Sequence, residues 1–138
     1  MKEKIYKYSL ITFVIINIIT LYLFYDYFTE KQSIFHGIGI FFNFIRLIIF
    51  SLGLSLILLL VRFYFFIKEK KNYLKTNFFY VFSAIFSFNV FLNWVICICL
   101  DLFPLKTELT LIVLGLFSVS IFMLYDIYKY NFSEKILN

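Results

Sequence analysis

The longest apolar run in the chain covers residues 35–67, and in those 33 residues the formal charges are Arg46 and Arg62. As a helix it would extend roughly 50 Å, at ~1.5 Å per residue, against ~30 Å of bilayer hydrocarbon. Such a segment crosses a membrane with length to spare and sets an arginine among lipid chains. It leaves two forms open: one tilted helix, or an interfacial helix over residues 34–43 followed by a span.

Three further apolar runs complete the pattern, giving spans over residues 8–25, 38–64, 78–100 and 108–126 within a single transmembrane domain, 1–138. Hydrophobic residues make up 63% of the chain and charged ones 15%, where a soluble domain carries about 25% charged residues. Lys2 and Lys4 before the first run resemble the start of a signal peptide. That run continues to Tyr25 without a small-residue cleavage pattern, so it is expected to be a retained helix. Pro104 is expected to close the third span, because proline cannot continue a helix. The fold class expected is an all-α integral membrane protein, an antiparallel up-down bundle of four transmembrane helices with no soluble domain.

Charge sets an orientation. The first seven residues sum to +2, the connector holding Asp26, Glu30 and Lys31 to −1, residues 62–75 to +4, residues 101–108 to −1 and residues 126–138 to 0. Lysine and arginine collect on the cytoplasmic side of membrane proteins, so both termini and the middle connector are expected inside. The 11 tyrosines, Tyr80 among them, fall near span ends, as rings at the headgroup level do. The net charge of +5 is thereby assigned to topology. The bilayer is the expected partner, nucleic acid is not, and the expected localisation is a bacterial inner membrane.

Few residues offer chemistry. Arg46 is the first candidate, and three readings stay open: it bonds Asp26 or Asp101 and locks helix two to a neighbour, it snorkels to the headgroups, or it binds a substrate or lipid headgroup. Asn89 and Asn93 lie one turn apart on span three, and Ser83, Ser87, Trp94 and Cys97 share their arc. That arc is expected to bond neighbouring helices rather than line water, as are Asn17 and Asn43. Cys97 and Cys99 stand about 200° apart around a helix and are expected to be buried apolar groups, unpaired with each other. Gly115 and Ser118 form a small-residue notch suited to close packing. His36 has no second ligand at a metal-binding spacing. No metal, cofactor or catalytic residue is expected, and the chain is expected not to be an enzyme.

Two stretches resemble a known family. Leu23-Phe24-Tyr25-Asp26-Tyr27-Phe28 is similar to the Phe-Tyr-Asp-Pro motif after the first helix of the small exosortase F system-associated membrane proteins of flavobacteria, with Tyr27 where those carry proline. Arg46 with Leu54-Ser55-Leu56 resembles the pattern opening their second helix. The resemblance implies an accessory protein encoded beside a membrane protein-sorting protease, with no known activity of its own. With no domain expected to sense or catalyse alone and aromatic-rich helices that offer packing surfaces, the function expected is that of a subunit or accessory of a larger membrane complex, its partner another membrane protein or the chain itself as an oligomer. A homo-oligomeric pore of the toxin or phage-defence type, a membrane immunity protein and a lipid or small-molecule carrier are the alternatives.

Overall fold

A computed structural model describes residues 2–30, 37–68, 77–102 and 107–132. These form four helices and, among the described residues, no strand: α1 Lys2–Thr29, α2 Ile38–Ile67, α3 Phe78–Cys99 and α4 Thr107–Phe132. Each is long and apolar enough to cross a membrane. His36, Pro104 and the cationic run 69–75 lie outside the described residues. The long second segment is one helix from Ile38 onward, about 45 Å in its 30 residues.

The ends follow local rules. Gly37 precedes α2 in the left-handed region, φ 85°, which a residue without a Cβ enters freely. Its N–H donates to a Glu30 carboxylate oxygen (3.3 Å), fastening the end of α1 to the start of α2. A Cβ on Gly37 would stand 3.7 Å from the carbonyl oxygen of Leu102, so the α1–α2 joint sits beside the turn that follows α3. Asn77 caps α3, its side chain accepting from the Phe79 N–H (3.0 Å). Asp101 ends α3 in the left-handed region, φ 55°. There the Leu102 N–H reaches the Cys97 carbonyl and the Asp101 N–H reaches that of Ile98, the paired bonds of a Schellman turn. That turn stops α3 ahead of Pro104.

The four helices are not equivalent. α2 buries a single stripe, Ile40, Phe44, Ile48, Ser51 and Ser55, spaced at three and four residues as one helical face requires. α3 packs against the other three helices and buries residues around much of its circumference, from Tyr80 to Cys97. The chain's one alanine, Ala84, is among them, fully buried where a larger side chain would hold the helices apart. The core joins Ile16 and Leu23 of α1 to Phe44 of α2, Trp94 of α3 and Leu116 of α4, and a second cluster gathers Ile5, Tyr80, Ala84 and Met123.

The polarity of the molecule is inverted relative to a soluble protein. Ser51, Ser55, Ser83, Ser87, Asn93 and Asp126 are buried, while large apolar side chains such as Leu10, Leu21, Leu60 and Leu111 stand exposed on the outside. Water would favour the reverse, and a bilayer favours this arrangement. The chain is a multi-pass membrane protein.

Candidate functional site

Among the described residues, three polar clusters lie between the helices, and α3 contributes to each. The first joins α2, α3 and α4. Arg62 donates from Nε to Asp126 Oδ2 (2.8 Å) and from a terminal nitrogen to Oδ1 (3.1 Å), a two-point pairing that fixes the plane of both groups. The Tyr80 hydroxyl donates to Asp126 Oδ2 at 3.2 Å. The Arg62 guanidinium also lies 4.8 Å from the centre of the Phe122 ring, one turn before Asp126 on α4. Asp126 is buried and Arg62 half-buried, so the two charges neutralise one another at the edge of the apolar interior.

The second cluster is a serine quartet between α2 and α3. Ser51 and Ser55 are one turn apart, as are Ser83 and Ser87, so two short hydroxyl rows face each other. The Ser51–Ser87 contact is 2.8 Å, and Ser55 reaches both Ser83 and Ser87 at 3.0 Å. The third cluster ties α1 to α3: the Asn93 amide donates to Asn89 (2.8 Å) and to Thr20 (3.1 Å), and the Thr20 hydroxyl donates to Asn89 (3.4 Å). Trp94 adds a bond from its indole N–H to Thr110 of α4, 3.2 Å. Thr12 of α1 is the exception: its hydroxyl is buried and, among the described residues, has no hydrogen-bond partner.

Asn89 and Asn93 thus meet each other and a neighbouring helix. Comparison of the chain with protein-family models, curated proteins and solved structures finds no match.

The structure does not bring Arg46 to Asp26 or Asp101. Arg46 is exposed, two residues beyond the buried Phe44 and therefore about 200° around α2 from the buried stripe. Asp26 lies beside Gly39, near the start of α2, with Oδ2 3.9 Å from where a Cβ on that glycine would stand. Asp101 belongs to the turn that ends α3. Asn17 bonds back to the Phe13 carbonyl of its own helix, 2.8 Å, instead of crossing to another. Cys97 is buried in the core but Cys99 is exposed, and both are free thiols. The Gly115 notch faces outward, with nothing within 4 Å of a Cβ placed there, and Ser118 bonds back to Leu114.

The Arg62–Asp126–Tyr80 cluster is what sequence reasoning missed. Asp126 reads as the polar end of span four, yet α4 continues to Phe132 and carries it inside. Tyr80 reads as an interfacial ring, yet it is fully buried, unlike Tyr6, Tyr22, Tyr25, Tyr64, Tyr125 and Tyr128. The available signal was a pair of opposite charges near the ends of spans two and four that the expected topology puts on the same side.

Proposed function

We propose that this chain is a non-enzymatic subunit or accessory of a larger membrane protein complex, an antiparallel four-helix bundle in a bacterial inner membrane with both termini cytoplasmic. The observation that carries this is the use made of the interior polar groups. Serine, asparagine, threonine, arginine and aspartate side chains bond one another across helix boundaries. Groups occupied in this way hold helices in place, which suits a scaffold whose working surface is its outside. Pairings such as Ser51 with Ser87 beside Ser55 with Ser83 support neighbouring helices that run in opposite senses. Lys68, stacked over the Tyr64 ring at 4.7 Å next to the cationic connector, supports the cytoplasmic placement of that end. The resemblance to the exosortase F-associated proteins would make the larger assembly one built around a membrane protein-sorting protease.

Native mass spectrometry of the protein, extracted gently from its own host's membranes, tests this. A heteromeric mass containing one dominant foreign chain is expected. A clean multiple of 16.7 kDa without a partner would overturn it and turn attention to the pore alternative, for which conductance across planar bilayers is the assay.

A further inference from the structure

Arg46 is an arginine on the outside of an apolar helix, exposed and without a hydrogen bond, ion pair or ring contact among the described residues. Its depth can be read from the packing. Phe44 meets Trp94, Ser51 meets Ser87 and Ser55 meets Ser83, so each step forward along α2 is matched by a step back along α3. Arg46 is then level with Leu92. α3 is the helix whose length fits a bilayer most closely, about 33 Å in 22 residues against ~30 Å of hydrocarbon. Leu92 stands seven residues short of its end at Cys99, or about 10 Å of helix. The guanidinium therefore starts well inside the apolar layer, and the nearer headgroups lie roughly that far along the helix.

A charge at such a depth is found paired with another group in the membrane interior, and among the described residues of this chain Arg46 has none. The surface around Arg46 suits a second helix. Phe42, Ile49, Phe50 and Ile57 are exposed on the same side, and Gly53, seven residues from Arg46 and so almost directly in line with it, leaves open space where a side chain would project. A glycine on a transmembrane face lets a neighbouring backbone come close. A second copy of this chain cannot supply the missing charge at that level, since residues 4–25, 38–67, 78–99 and 109–125 contain no Asp or Glu.

We infer that the Arg46 face of α2 receives a transmembrane helix of a different protein, one carrying an aspartate or glutamate at the depth of Arg46. This inference rests on the subunit proposal and adds the chemistry and location of the contact.

The test is photo-crosslinking in the host membrane from a benzophenone amino acid at position 49, with position 111 on α4 as the control face. The expected result is an adduct from position 49 whose foreign peptide is an apolar segment containing Asp or Glu. Its yield falls at least tenfold in Arg46→Leu and in Arg46→Gln, and survives in Arg46→Lys. Protection of Cys97 from maleimide shows that each variant is folded. Adducts to lipid alone, adducts at twice 16.7 kDa, a foreign segment lacking an acid, or a yield indifferent to Arg46→Leu each overturn the inference. Native mass spectrometry of Arg46→Leu separates the two claims. A foreign chain retained at full occupancy removes this contact but keeps the subunit proposal, whereas a homomeric mass in both parent and variant removes both.

Discussion

α2 carries two arginines, sixteen residues apart, with opposite fates. Arg62 follows Ser55 by seven residues, two turns less about 20°, and so lies on the continuation of the buried stripe. It meets Asp126, Tyr80 and Phe122 there. Arg46 is nearly half a turn off that stripe and looks away from every other helix. The residue type and the host helix are the same. What differs is phase relative to α3 and α4, and phase decides whether an arginine holds the fold together or addresses something beyond it.

The largest expected effect tests this contrast directly. Asp126→Ala leaves Arg62 unpaired at a buried edge and should destabilise the purified chain in micelles by about 3–5 kcal/mol. Arg62→Leu should cost a similar amount, and the double replacement by leucine should recover much of it. Arg46→Leu should stay within about 0.5 kcal/mol of the parent in the same unfolding titration. Equal losses at the two arginines would end the comparison. Next in size is Tyr80→Phe, which removes one bond to the carboxylate and should cost about 1–2 kcal/mol while leaving the ion pair in place. Ser55→Ala removes a hydroxyl that reaches two partners, yet hydrogen bonds between membrane helices average only about 0.6 kcal/mol, so a loss near that value is expected. If the serine change rivals the Asp126 change, the quartet and not the ion pair is the principal tie. One further effect has the opposite sign: Thr12→Val deletes a buried hydroxyl without a described partner and should raise stability by up to about 1 kcal/mol, seen as a rise in the melting midpoint.

Much of this organisation was legible in the sequence. Four helices, their approximate limits and the unusual length of α2 follow from apolar run lengths, because a membrane span needs a minimum number of residues. Asn89 and Asn93 declare themselves by their one-turn spacing. The partners of Arg62 do not, since span ends look polar whether a side chain points to water or back to a neighbouring helix. Asp126 and Tyr80 both fall in such end turns, and only the packing of α3 against α4 tells inward from outward. The direction of Arg46 was hidden for a related reason. α2 is apolar on every side, so its buried stripe has no contrasting polar face to reveal it.

The serine quartet repeats at the same interval on both of its helices, and a repeat has more than one way of matching itself. Sliding α2 along α3 by one turn, about 5.4 Å, would set a serine opposite a serine again. Hydroxyl rows of this kind act as an adhesive that tolerates a ratchet step and cannot choose the stagger. The choice falls to features without a repeat, the Phe44–Trp94 contact above the rows and, below them, the Arg62–Asp126 pair, which ties α2 to α4 and through the Tyr80 hydroxyl to α3. Two unrelated groups at the two ends of one ladder make the helix pair behave like a vernier, in which a single setting satisfies both marks.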